Sequence, residues 1–238
     1  MNRQRLWMLI LLALAFIGAT ILYFVIVWQE GQNRFRAGKP VPQNLIPEEL
    51  LTDEDRIPEI PTEPPPIHPE DPYLFGSPNS PVTIIFIGDF QSQIAREQTT
   101  TINDSLRILG NPSSVRVIWK DMPLVQEHSK AMEMAIVGRC AARQKQFKNM
   151  HDLLFFETQR YTEEEYIRFA RRIHLDEQEF KICLRDPAHN FQIMQGSEEL
   201  RLMGVKEVPT LFVNGFPLVG YVDTESLVSI LRRELNLN

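Results

Sequence analysis

The sequence predicts an α/β domain in which a small mixed sheet is covered by helices on both faces. Three observations carry this expectation. Val82-Thr83-Ile84-Ile85-Phe86-Ile87 is a β-branched, mostly apolar run, the pattern of a strand buried on both faces. A helical stretch and a second apolar run at 115–119 follow it, which is the order of a parallel crossover. Near the C-terminal end, two apolar runs flank Asn214-Gly215. Asn-Gly is a hairpin signal because a type I′ turn needs positive φ at both central residues.

In chain order, residues 1–5 form a short flank, and Leu6 to Trp28 follows without a single charge. At ~1.5 Å per residue these 23 residues make a helix of ~35 Å, enough to cross a hydrocarbon core of ~30 Å. A helix of a soluble protein keeps one polar face and this run has none, and a cleaved signal peptide has a shorter apolar region ending in small residues. Residues 6–28 are therefore expected to be an uncleaved, single-pass membrane anchor. Arg3 and Arg5 before the run nearly balance Arg34, Arg36 and Lys39 after it, so flanking charge leaves the orientation open. Residues 29–73 read as a Pro-rich, acidic, flexible linker. Twelve prolines and nine acidic residues lie between Pro40 and Pro81, and proline stops helices and ladders while like charges repel. About forty such residues at ~3.1 Å each would reach up to ~120 Å. The chain's net charge of −6 belongs to this linker, since residues 82–238 carry 19 basic and 21 acidic groups. A nearly neutral domain lacks the basic surplus of a nucleic-acid binder, so none is expected as a partner.

Within 74–238, a helix from Ser92 to about Leu109 ends at Gly110-Asn111-Pro112, and Val115 to Trp119 reads as a second strand. A helical insert spans about 124–200. Phe147, Met150, His151 and Leu154 form a stripe in it, and Thr162/Glu165 and Asp176/Glu179 have the spacing of capping boxes. Val208 to Val213 and Phe216 to Val219 return to β structure, with Pro217 requiring an edge strand. A final helix begins near Asp223-Thr224 and buries Leu227, Ile230, Leu231 and Leu235. His151 and His174 have no second His or Cys at ligand spacing and are expected to touch solvent or bond locally. Two cysteines cannot supply a four-thiolate zinc or iron–sulfur centre. No metal and no cofactor are expected.

This order resembles the DsbA-like branch of the thioredoxin superfamily. The residues that carry the resemblance are Gly76-Ser77-Pro78 with Pro81-Val82-Thr83-Ile84, then Gly88-Asp89-Phe90-Gln91, then Trp119-Lys120-Asp121-Met122-Pro123-Leu124. His151-Asp152-Leu153-Leu154-Phe155 and Gly204-Val205 with Val208-Pro209-Thr210-Leu211-Phe212-Val213-Asn214-Gly215 complete it. The resemblance covers about residues 75–236 and implies a thioredoxin-like fold with a helical insertion. In that family a Cys-x-x-Cys follows the Asp-Phe-Gln stretch. Here Ser92-Gln93-Ile94-Ala95 stands in its place, so Ser92 and Ala95 mark degenerate catalytic positions. Disulfide exchange requires a thiolate, which a serine cannot supply. Ser92 instead suits a helix N-cap, and no histidine is adjacent in sequence to make it a hydrolytic nucleophile.

The resemblance further implies that Val208-Pro209 is cis and lies beside the vacated motif, where the neighbouring main chain pairs with an extended peptide. Phe90, Ser92, Gln93, Val208 and Pro209 are thus the expected peptide-binding residues, because strand addition uses main-chain hydrogen bonds and needs no thiol. Cys140 and Cys183 lie on apolar helix faces, which suits two small buried hydrophobes. The family also contains members with a second, structural cysteine pair. Such a disulfide would restrict the unfolded chain by ~4 kcal/mol and place the domain in an oxidising compartment. The expectation is a membrane-tethered domain in the periplasm or at the cell exterior that binds a peptide or envelope protein. The alternative is a thiol–disulfide oxidoreductase acting through Cys140 and Cys183 or with a partner thiol.

Overall fold

The computed structural model describes residues 61–237, apart from 62 and 159. The expected anchor at 6–28 and the linker up to residue 60 lie outside the described residues. β1 (Tyr73–Phe75), β2 (Val82–Gly88), β3 (Val115–Asp121), β4 (Thr210–Val213) and β5 (Phe216–Val219) form one sheet in the order β1-β3-β2-β4-β5. β2 and β3 run parallel, joined by the crossover helix α1 (Gln93–Leu109), and the remaining pairs are antiparallel. The insert consists of α2 (Ala131–Arg143), α3 (Phe147–Phe156), α4 (Glu163–Arg172), α5 (Glu177–Leu184) and α6 (Ala188–Leu202). α7 (Thr224–Glu234) closes the fold. Pro217 sits on β5, an edge strand where its missing N–H costs nothing.

The two-residue period of β2 divides the core. Ile84 and Phe86 enter the larger cluster with Ile102 and Leu106 of α1 and Leu227 and Leu231 of α7. Ile85 and Ile87 enter a smaller cluster with Met122, Leu200, Val205 and Phe212. Burial on both faces explains why the run shows no polar alternation. The caps follow the sequence. Thr162 Oγ1 accepts from Glu165 N–H at 3.3 Å, and Asp176 Oδ1 accepts from Glu179 N–H at 2.8 Å. The Glu165 carboxylate turns back to accept from Arg160 and Tyr161 N–H, one residue short of the reciprocal bond that a capping box would make.

One expectation changes. The linker does not run loose to residue 73: Trp119 N–H donates to Pro72 O at 3.0 Å, and Lys120 Nζ meets Asp71 Oδ2 at 2.7 Å with both side chains buried. β1, three residues long, is too short to show a period in the sequence, yet it forms the second edge of the sheet. Of the two settings expected for His151, the structure shows the local bond: the residue is 1% exposed, and its Nδ1 lies 3.1 Å from Asp152 Oδ1.

Candidate functional site

The register of the sheet gathers the predicted site at one end. Gly88 pairs with Asp121 and Ile87 pairs with Thr210. The turn from Asp89 to Ser92 and the residues preceding β4 therefore leave the sheet on the same side. The Val208-Pro209 peptide is cis, as the resemblance implied. The turn is tied down by one buried carboxylate: Asp89 Oδ1 accepts from Gln91 N–H at 2.7 Å, and Oδ2 accepts from Leu124 N–H at 2.8 Å and meets His128 Nδ1 at 2.9 Å. Gln91 Oε1 accepts from Lys130 N–H at 2.5 Å. Three backbone donors that would otherwise be orphaned are thus satisfied by two side chains.

Beneath the turn lies an aromatic cluster. Trp119 has Phe90 at 4.8 Å, Phe86 at 4.9 Å, His151 at 5.3 Å and Phe155 at 5.9 Å between ring centroids. Its Nε1–H donates to Asp121 Oδ1 at 2.6 Å, and Asp121 Oδ2 accepts from Arg139 Nε–H at 2.5 Å. A Cβ on Gly88 would stand 2.4 Å from Trp119 Cη2, so glycine is what lets the indole tuck under the strand end. Burial holds the His151 imidazole below its ordinary pKa, opposed by its hydrogen bond to Asp152, and its Nε2 has no partner among the described residues.

The expected peptide-binding residues separate in this setting. Phe90 is 5% exposed and belongs to the aromatic cluster, so its side chain anchors the turn and offers no surface. Ser92 is nearly buried, and its Oγ accepts from Ala95 N–H at 3.2 Å as the cap of α1. Ala95 and Pro209 are buried as well. What faces outward is Gln93, the half-buried Val208, and Ile94, which is 49% exposed. Ile94 was not anticipated, although an apolar residue one position past Gln93 in a polar helical turn is the signal that could have marked it. The main chain of Val208 makes no hydrogen bond among the described residues. Ser92 Oγ makes no hydrogen bond to a histidine among the described residues, and His128 is engaged by Asp89. Among the described residues no nucleophile–base relay is assembled at Ser92.

Cys140 of α2 and Cys183 of α5 form a disulfide with a Cα–Cα distance of 5.7 Å. Their residues are 1% and 4% exposed.

Comparisons with known proteins agree with this architecture. A thioredoxin-like oxidoreductase from Silicibacter pomeroyi superposes with a TM-score of 0.60 at 19% identity, covering 72% of this chain and 95% of that one. BdbD from Bacillus subtilis gives 0.59 at 17% identity over 70% and 94%. The thiol-disulfide exchange protein alpha-DsbA2 from Wolbachia pipientis gives 0.57 at 19% identity over 70% and 86%. Among curated sequences, a protein named Na(+)/H(+) antiporter NhaA 3 from Salinispora tropica is 30% identical over 162 residues, which are 68% of this chain and 24% of that protein. This chain thus spans about a quarter of the length of that relative. Residues 69–233 match the family described as Thioredoxin. The chain belongs to the thioredoxin family.

Proposed function

We propose that this protein is a membrane-tethered, extracytoplasmic thioredoxin-fold domain that binds an extended segment of an envelope protein without exchanging disulfides, as a chaperone-like or scaffold module. The observation that carries the reading is the chemistry at the start of α1. Serine and alanine fill the positions where the family resemblance puts cysteines, with Ser92 serving as the cap and Ala95 wholly buried. Neither can attack or hold a sulfur. The main chain of Val208, without a hydrogen bond among the described residues, and the exposed Gln93 and Ile94 at the same end of the sheet support strand addition. The Cys140–Cys183 bond supports an oxidising compartment, and the uncharged run at 6–28 supports attachment to a membrane. A relative named as an antiporter carries a domain of this kind in a polypeptide that, by that name, works across a membrane, which supports the same setting. The test is insulin reduction and scrambled-disulfide isomerisation by the full-length chain in detergent. Both rates should stay at the uncatalysed background, and turnover comparable to that of a DsbA protein overturns the proposal.

A second reading, an oxidoreductase using Cys140 and Cys183, is favoured by one observation: Cys183 Sγ lies 3.2 Å from His189 Nε2 and 4.0 Å from an Arg143 nitrogen, cationic and imidazole surroundings that favour a thiolate. Burial of both sulfurs weighs against it. Replacing either cysteine separates the readings, since a structural pair loses stability with no catalysis to lose.

A further inference from the structure

We propose that Cys140, Cys183 and His189 form a zinc(II) site when the disulfide is reduced. The three ligand atoms come from three helices, α2, α5 and α6, and lie within 4.8 Å of one another. Zinc bonds of about 2.3 Å to sulfur and about 2.0 Å to imidazole nitrogen need ligand atoms roughly 3.4–3.8 Å apart. The 3.2 Å between His189 Nε2 and Cys183 Sγ is close to what the ion requires, and the two bonded sulfurs must move apart once reduced to reach it. His189 supplies the independent observation. Its residue is 7% exposed, and its Nε2 is aimed at Cys183 Sγ at 3.2 Å, with no other hydrogen-bond partner for the ring among the described residues. A disulfide sulfur is a weak acceptor, so the oxidised state leaves a buried imidazole poorly satisfied. A metal bound to the reduced pair would satisfy it.

The surroundings suit such a centre. His189 borders a cleft of about 770 Å³ that is also lined by Arg139, Arg143, Asp186 and Gln192. The cleft reaches the metal ligand set at His189, the side from which an ion and a water for the fourth coordination position would come, while neither cysteine lines it. Arg143, 4.0 Å from Cys183 Sγ, stands where a donor to the bound sulfur would stand. The chemistry balances with a dithiol as reductant: it gives two electrons and two protons to the Cys140–Cys183 bond and itself becomes a disulfide. Zinc then displaces both thiol protons to solvent, leaving two thiolates, one neutral imidazole and a neutral metal–thiolate core.

The test uses the full-length chain in detergent, reduced with a phosphine that adds no thiol of its own, and titrated with zinc against a chromophoric chelator. The reduced chain should bind one zinc, the oxidised chain none, and the bound ion should protect both cysteines from alkylation, counted by mass spectrometry. His189→Gln should weaken binding by about tenfold or more while leaving the oxidised disulfide in place. Zinc-edge X-ray absorption of the unsubstituted chain provides a readout that does not depend on the variant, and two sulfurs with one imidazole nitrogen are expected. Equal binding by oxidised and reduced chains, a first shell without sulfur, or zinc affinity untouched by His189→Gln overturns the proposal. So does a reduced chain that unfolds and is not restored by zinc.

Discussion

His151 shows how one side chain couples the aromatic cluster beneath the Ser92 turn to pH. It packs 4.8 Å from Phe155 and 5.3 Å from Trp119, a setting that excludes the water an imidazolium needs. Burial lowers its folded pKa below the ordinary 6.5, with the Asp152 bond acting in the opposite direction. The unfolded chain then binds a proton in a window where the native chain does not. The contribution is level above about pH 6.5 and is lost as pH falls through that value toward the folded pKa, at up to ~1.4 kcal/mol per unit. Urea midpoints measured between pH 7.5 and 5 should fall on acidification. His151→Phe, which keeps the ring and removes the titration and the unpartnered Nε2, should make that slope shallower. An unchanged slope would place the acid sensitivity elsewhere. At the same scale, Phe90 illustrates what residue type alone cannot say. An aromatic side chain beside a vacated motif suits both a binding surface and a core anchor. Only the position of Trp119, 29 residues away in sequence and brought close by the parallel register of Phe86 with Trp119, decides for the core.

Among the elements, those with a strong local signal were readable from sequence, and those made by distant partners were not. β2, α1 with its Ser92 and Gly110 caps, the caps at Thr162, Asp176 and Asp223, and the Asn214-Gly215 hairpin all follow from periods and capping chemistry that operate over a few residues. β1 carries no such signal. It is three residues held by pairing with β3 and by the buried Asp71–Lys120 pair, contacts that span more than 40 residues. The site was half legible for the same reason: its residues were marked by motif, but their exposure depends on the insert packed beneath them. Within that insert, the disulfide ties α2 to α5 across a sequence separation of 43. On the loop-entropy account, Cys140→Ser with Cys183→Ser should cost about 4 kcal/mol, or roughly 8–16 °C in Tm for a domain of this size. Calorimetry with and without reductant checks it. The unsubstituted chain should fall to the variant's Tm on reduction, whereas no shift would mean that the helices hold together without the bond.

The whole molecule joins this domain to an uncharged run at 6–28 through a segment rich in proline and acid. Residues from His68 onward are already engaged by the fold, with His68 N–H bonded to Asp71 and its ring 3.4 Å from Glu199. The spacer proper is therefore shorter than the 29–73 of the sequence reading. Its 39 residues from 29 to 67 would span at most about 120 Å at ~3.1 Å each in polyproline form. If the chain is membrane-tethered as proposed, like-charge repulsion and proline would resist collapse of such a segment, and its length would set how far from the bilayer the exposed Gln93 could meet a partner. A photoreactive side chain at Gln93, activated in cells, should capture an envelope protein. Deleting 40–57, which leaves every described residue in place, should reduce that capture several-fold, because a shortened reach lowers the effective concentration of a partner beyond it. A spacer of the same length rich in Gly and Ser should restore capture only in part, since a coil's end-to-end distance grows with the square root of length and not linearly. Capture that is indifferent to both changes would mean that the partner meets the domain at the membrane surface, and that the spacer serves only to attach it.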